Sequence, residues 1–250
     1  MGCEAKEDVL YLIQADQFSA ADLQSGGDDM KDIPYESIDT FADETARGFS
    51  DYATHTAFKL FRNRKFRSLA GFATLSQSEQ DRIFNELVSA FVTLIMLLLE
   101  APDLHSRREF GDYLDQLKTK IPVALLAMFE EMGIEAEHRL EYSKLIELRY
   151  EEYAKDKHEV RKAAMEIESS ENRLNVKSLS EIQVLVPVQS VAIGCHHYVC
   201  RGETEGKDEL FKVLLKELAK FYLFLRIRLE GGRMTLLTRI RAKVMAWFRR

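Results

Sequence analysis

The chain has 250 residues, of which 46% are hydrophobic and 30% charged, and its formal net charge is −6. This is an ordinary globular balance that suits one large domain with or without appendages. Only four prolines and twelve glycines occur, which favours long helices over many short strands. The odd, low count of three cysteines argues against a disulfide framework, so we expect a reducing compartment and a cytoplasmic protein.

Charge is distributed unevenly along the chain. Residues 1–51 hold thirteen acids and three bases, a net charge of −10, whereas residues 220–250 hold nine bases and one acid, a net charge of +8. Glycine, proline and acids interrupt any period early in the chain, so we predict an acidic, loop-rich segment over residues 1–34. The start resembles a lipidation motif, but Lys6 stands where the motif has Ser or Thr, so lipidation of Gly2 and Cys3 stays open.

The first predicted helix begins at about Tyr35. Apolar residues recur from there at spacings of three and four and carry the helix to Phe61. The capping box Ser76–Glu79 predicts the start of the next helix, because the serine hydroxyl can accept from a free amide of the first turn. Ala101-Pro102 predicts its end, since the residue before proline disfavours the helical conformation.

A second capping box, Ser106–Glu109, predicts a helix that contains Pro122, where we expect a kink, and that stops at Gly133. The following residues 135–170 form the longest predicted helix, about 50 Å if unbroken. One of its sides is apolar and charges crowd the remainder, which is typical of a long, largely exposed helix.

A third capping box, Ser178–Glu181, precedes the segment 179–200. No Asp, Glu, Lys or Arg occurs in residues 182–200, which predicts a buried helix kinked at Pro187. The β-branched residues around this proline leave a pair of strands as an alternative. Neither this segment nor the apolar run Leu87–Leu99 is expected to span a membrane, because the first contains polar residues that need partners and the second is too short.

The sequence predicts a further amphipathic helix over residues 207–230, which stops at Gly231-Gly232. A last helix is predicted over Met234–Trp247. The sequence therefore predicts an all-α fold, an irregular bundle of six or seven helices with a long charged helix and a basic amphipathic C-terminal helix. We divide it into the acidic segment 1–34, a helical bundle domain over residues 35–230, and the basic C-terminal helix over residues 231–250.

The densest group of reactive side chains lies at the end of the uncharged segment. On a helix, His196 and Cys200 share a face at i,i+4, and His197 and Cys200 are related by i,i+3. Thiolate and imidazole can bind zinc or iron, so the candidate metal ligands, with others from neighbouring helices, are Cys195, His196, His197 and Cys200. The alternative, which we favour, is a buried helix end in which cysteine acts as a small hydrophobic residue.

Other catalytic patterns are weaker. Glu135–His138 contains one Glu-x-x-His, whereas a di-iron bundle needs two such motifs and two further glutamates. No Gly-x-Ser-x-Gly occurs, which leaves Cys195 or Cys200 beside a histidine as the candidate thiolate pair. The segment Lys59–Arg67 interleaves bases with aromatics; it can hold phosphates or stack on bases, but a solvated helix end is the favoured interpretation.

The C-terminal helix is the most informative feature. Its apolar stripe consists of Leu236, Leu237, Ile240, Val244, Trp247 and Phe248. A basic amphipathic helix with a tryptophan fits a membrane interface or a groove on a partner, although packing onto the bundle is equally compatible with the pattern. The candidate residues for an anionic partner are Arg233, Arg239, Arg241, Lys243, Trp247, Arg249 and Arg250.

From these features we expect a helical interaction or scaffold protein whose basic C-terminal surface meets a membrane surface, an acidic protein or a nucleic acid. Peripheral membrane association would then accompany a cytoplasmic location. The alternative from another class is a metal-binding or thiol-dependent enzyme or sensor that uses the Cys195–Cys200 segment. The acidic N-terminal segment could also fold back and screen the basic helix.

Overall fold

The computed structural model describes residues 38–101, 104, 111–170 and 176–229. All secondary structure in these ranges is helical, which confirms the predicted all-α bundle. The predicted loop over residues 1–34 and the predicted helix over residues 231–250 lie outside the described residues. The described helices are α1 (Ile38–Phe61), α2 (Arg64–Leu69), α3 (Gln77–Leu99), α4 (Gly111–Glu131), α5 (Ala136–Ser170), α6 (Val176–Val199) and α7 (Asp208–Leu229), with a 3-10 turn at Phe72–Thr74.

Helix α3 is the centre of the bundle. It packs against α1, α4, α5, α6 and α7, and every residue from Glu86 to Leu99 is buried. A helix surrounded on all sides has no solvent-facing stripe, which is why its second half is apolar around the full turn. Among the described helices, α3 is one that is long and apolar enough to cross a membrane; 83% of its most apolar window is buried inside the bundle.

Local sequence signals place several helix ends correctly. The Ser76 hydroxyl accepts a hydrogen bond from the Glu79 amide at 3.3 Å, which confirms the predicted start of α3. Helix α4 ends as predicted before Gly133, which has a φ of +79°. The Ile134 amide donates to the Phe129 carbonyl and the Gly133 amide to the Glu130 carbonyl, both at 2.9 Å, a Schellman motif that only glycine adopts without strain.

The predicted helix is confirmed as α6, but the strand alternative and the predicted start are wrong. The strand alternative fails because residues 176–199 form one continuous helix with Pro187 inside it. The box Ser178–Glu181 is not the start of that helix, because α6 already begins at Val176. Pro122 likewise lies inside continuous α4. The box at Ser106–Glu109 lies outside the described residues.

Helix α5 is the predicted long charged helix. Its 35 residues correspond to about 52 Å. Ile146, Arg149 and Tyr153 are buried on the side that faces α3 and α6, whereas Leu140 and Leu148 are about half exposed on other sides. The buried arginine in this stripe is the first sign that the interface of α3, α5 and α6 is not purely apolar.

Candidate functional site

The four predicted metal ligands point in different directions from the end of α6. Cys195 is fully buried, His196 and Cys200 are each 7% exposed, and the side chain of His197 faces solvent. The His196 ring packs 5.6 Å from the ring of Phe211 on α7, whereas His197 stands edge-on to Tyr198 at 5.2 Å. Successive residues of a helix are separated by about 100°, so neighbours in sequence meet different surroundings on a helix that is buried on several sides.

The environment of these groups does not favour metal or thiolate chemistry. Burial raises the pKa of the Cys195 thiol and that of Cys200, so both are thiols at neutral pH. Burial lowers the pKa of His196, against a hydrogen bond with the Lys207 backbone that raises it. In the part of the chain that the structure describes, no three His, Cys, Asp or Glu side chains form a group that could hold a metal ion.

A polar cluster that the sequence did not reveal lies between α3, α5 and α6. The Arg149 guanidinium donates to both carboxylate oxygens of Glu86, through Nε at 2.8 Å and Nη2 at 2.7 Å. Its third nitrogen donates to Glu152 at 2.9 Å, and its planar group lies 3.2 Å from the ring centroid of Tyr198. The side chains of Arg149 and Glu86 are only 8% and 7% exposed, so this is a buried, bidentate ion pair.

Burial and pairing act in opposite directions on Arg149. Burial lowers its pKa, but the hydrogen bonds and charges of Glu86 and Glu152 outweigh burial, and the net effect raises the pKa. The arginine is therefore a permanent cation that neutralises the carboxylate facing it. Removing either partner leaves an uncompensated charge in the bundle, which is the costly way to disturb such a pair.

Tyr153 packs directly beside this ion pair. It is fully buried, and burial raises its pKa well above the ordinary value, so the phenol is neutral. Its hydroxyl and the Nε2 of His196 are buried without a hydrogen-bond partner among the described atoms. Its backbone carbonyl accepts from the Ser190 hydroxyl at 2.6 Å, and its ring lies against Gly194, where no side chain would fit. Gly194 thus allows α6 to approach α5 closely.

A second polar group holds the C-terminal end of α6. Arg82 of α3 donates to the Tyr198 carbonyl at 2.7 Å and to the Val199 carbonyl at 3.3 Å. These are carbonyls of the last turn, which has no further helical amides to satisfy it. Arg82 and Arg201 both bind Glu79, and the hydrogen bond from Arg201 is the main cause of the lowered pKa of that carboxyl. The Glu79 carboxylate at the start of α3 is therefore paired with two arginines.

The remaining predicted sites are dispersed. His138 is exposed and lies 3.4 Å from Glu141, so the Glu-x-x-His of α5 is a surface feature. The bases of Lys59–Arg67 lie at the corner between α1 and α2, with their aromatic neighbours turned inward. The seven candidate residues for an anionic partner, Arg233 to Arg250, lie outside the described residues.

The ion-pair cluster joins three helices, and each of its charged side chains has a partner of opposite charge within the cluster. The sequence did not reveal it because Arg149 stands among many charges of α5, and Glu86 directly precedes the apolar run Leu87–Leu99. Its signal was the placement of Arg149 next to the apolar positions Ile146, Tyr150 and Tyr153, which puts an arginine on the buried stripe.

No family model matches the chain, and searches of curated proteins and of solved structures find no match.

Proposed function

We propose that this protein is a helical interaction protein that presents a basic C-terminal surface to an anionic partner: a membrane surface, an acidic protein or a nucleic acid. The observation that supports it is the sequence of residues 220–250, which holds nine bases and one acid in a chain whose net charge is −6. Six of these bases lie in residues 231–250, which contain no acid. Arg226, in the last turn of α7, is only 4% exposed and lies inside the bundle rather than on this surface.

The pattern of residues 231–250 supports a surface that binds through both charge and apolar contact. Leu236, Ile240, Val244 and Trp247 recur at helical spacing, and Arg239, Arg241 and Lys243 lie between them. A base near an anionic membrane contributes about 1 kcal/mol, and an amphipathic helix adds the burial of its apolar face. Such a helix would give a cytoplasmic protein peripheral membrane association, and the same charges would attract an acidic protein or a phosphate backbone.

The alternative, a metal-binding or thiol-dependent enzyme or sensor at Cys195–Cys200, has less support. Its two thiols are buried and their pKa values are raised, whereas a nucleophilic cysteine needs a lowered pKa and access to substrate. Elemental analysis of the purified protein tests this alternative directly. One equivalent of zinc or iron that is lost in a His196→Ala variant would favour it over the interaction protein.

The test of the proposed function uses Trp247, which is the one tryptophan of the chain. Its emission therefore reports on the C-terminal segment alone. Titration with vesicles of phosphatidylserine and phosphatidylcholine should shift the emission to shorter wavelength if the helix enters the membrane interface. Double-stranded DNA and polyglutamate are titrated in parallel, and a response to either without a vesicle response identifies that class of partner instead.

A matched pair of variants decides whether the C-terminal bases are responsible. Replacing Arg239, Lys243, Arg249 and Arg250 with Gln should abolish the response. The control replaces four exposed lysines of the described bundle with Gln and so removes the same charge: Lys144, Lys155, Lys162 and Lys216. The control should bind as the natural protein does. An absence of response to all three anionic titrants at low salt, or an equal loss in both variants, would overturn the proposal.

A further inference from the structure

A second basic surface lies at the corner where α1 turns into α2. Residues 52–78 contain no Asp or Glu, and the corner carries five bases within nine residues. Asn63 forms the turn, with its side chain accepting from the Phe66 amide at 3.1 Å to start α2. We call this surface the basic corner and define it by Lys59, Arg62, Arg64, Lys65 and Arg67.

The aromatic residues of this segment do not share the exposed surface. Phe58 and Phe61 are each 9% exposed, Phe66 is fully buried, and Phe72 of the following turn is 5% exposed. The Arg67 guanidinium lies 4.3 Å from the ring centroid of Phe72, which holds it against the core. The corner therefore offers charge without exposed rings, so it lacks the stacking platform of a single-strand binder and the apolar wedge of a membrane anchor.

Most of this charge is unneutralised by the described bundle. Lys65 lies 3.8 Å from Glu209 of α7, but that carboxylate also accepts from Lys212 at 2.8 Å. No carboxylate of the described residues lies within ion-pair distance of Lys59, Arg62 or Arg64, all of which are exposed. A cluster of like charges without counter-charges raises the electrostatic energy of the fold, and an acidic segment that covers it lowers that energy.

We propose that the basic corner is the docking surface for the acidic N-terminal segment of the same chain, residues 1–37. This segment holds nine acids and two bases, a net charge of −7 against the five bases of the corner. Its attachment point repels it, because the first half of α1 is itself acidic: Asp39, Asp43 and Glu44 lie there, and Asp39 and Asp43 share a single lysine, Lys120.

The N-terminal segment is long enough to reach the basic corner from the start of α1. The 24 residues of α1 separate its ends by about 36 Å, and 37 residues can span up to about 120 Å when extended. A tethered segment meets the surface at an effective concentration on the order of millimolar, which a free polyanion would have to exceed to displace it. This inference does not rest on the proposed function, since the corner is remote in sequence from the C-terminal helix.

Carbodiimide cross-linking of the full-length protein tests this docking, because the reagent joins a carboxylate to an amine only when the two are in contact. Mass spectrometry should find acids of residues 1–37 linked to Lys59 and Lys65, about fivefold more than to the control Lys162 of α5. Lys65 and Lys162 are matched, with side chains 65% and 79% exposed. The excess should disappear at about 0.5 M salt, where the Debye length is about 4 Å.

A charge variant separates specific docking from general attraction. Replacing Arg62 and Arg64 with Gln should reduce the links to Lys59 and Lys65 by about half or more, because both arginines are exposed and their loss removes two positive charges from the corner. The control replaces Arg161 and Lys162 with Gln and should leave those links unchanged.

Three outcomes would overturn the inference. Links spread evenly over the exposed lysines would show that the segment has no docking surface. Links concentrated on Lys243 would show that the C-terminal helix is the occupied surface instead. Links that form between isotopically light and heavy molecules in a mixture would show that the segment docks on a second copy rather than on its own chain.

Discussion

The close approach of α6 to α5 at Gly194 predicts that one substitution has opposite effects at two helical glycines. A Cβ at Gly194 would overlap Cε1 of Tyr153 and lie 2.7 Å from Cδ1 and 3.2 Å from Cζ. Gly48 lies away from the ends of α1 and is exposed to solvent, and a Cβ there would meet nothing within 4 Å. Gly194→Ala should therefore destabilise the protein, whereas Gly48→Ala should stabilise it.

The magnitudes follow from helix propensity and packing. Alanine is favoured over glycine in a helix interior by about 0.8–1 kcal/mol, and this is the gain expected at Gly48. The same gain exists at Gly194, but carbon atoms are normally about 3.5–4.0 Å apart, and Tyr153 is fully buried and cannot turn away. Overpacking a core costs about 1–3 kcal/mol, and the overlap with the Tyr153 ring places Gly194→Ala at the upper end of that range. After the propensity gain is subtracted, we expect a net loss of about 2 kcal/mol.

Urea denaturation at 25 °C, followed by circular dichroism at 222 nm, measures both changes against the natural protein. A rescue variant identifies the cause: in a Tyr153→Leu background, which removes the ring, Gly194→Ala should cost clearly less than it does alone. The reasoning is refuted if Gly194→Ala raises the free energy of unfolding as Gly48→Ala does, or if its cost is the same with and without the tyrosine ring.

Three further predictions concern buried polar groups of the bundle. Arg149→Leu leaves Glu86 buried without its arginine and should cost about 3–5 kcal/mol in urea denaturation. Glu86→Leu should cost less, because Arg149 keeps its hydrogen bond to Glu152, and the double variant should cost less than the sum of the two. The free energy of unfolding should fall as the pH decreases below 6.5, the ordinary pKa of histidine, because the folded protein holds His196 at a lowered pKa. In a His196→Gln variant the melting temperature should therefore change less between about pH 7.5 and 5.5 than it does in the natural protein. Iodoacetamide should modify Cys195 only as fast as the protein opens, so modification should accelerate with urea; rapid modification of the native protein would contradict its burial.

The sequence located most of the described helices because their ends are signalled locally. Ser76 begins α3 and Gly133 ends α4 through hydrogen bonds within a few residues, and such signals do not depend on the rest of the fold. The box at Ser178 failed because a hydroxyl and a glutamate three residues apart also occur inside helices, and α6 begins two residues earlier. Burial of the second half of α3 followed from its composition, since a helix apolar on all sides must be surrounded.

The candidate sites could be predicted less well. The spacing of Cys195, His196, His197 and Cys200 permits convergence, but whether side chains converge depends on what packs against each side of the helix, and α6 has neighbours on several sides. The pairing of Glu86 with Arg149 spans 63 residues, and one sequence contains no information on which of many charges meet at that distance. The sequence of Lys59–Arg67 shows aromatics interleaved with bases, and only the packing of the bundle shows that Phe61 and Phe66 are buried.

What the sequence determined by itself is therefore the class of fold, the order and approximate extent of the long described helices, and the opposed charges of its two ends. These depend on propensity, periodicity and composition, which act over one or two helical turns or over the whole chain. The tertiary structure decided which polar groups are buried, which of them pair, and that there is no room for a side chain at Gly194. Those properties depend on contacts between residues far apart in sequence, and it is the packing of helices against α3 that brings such residues together.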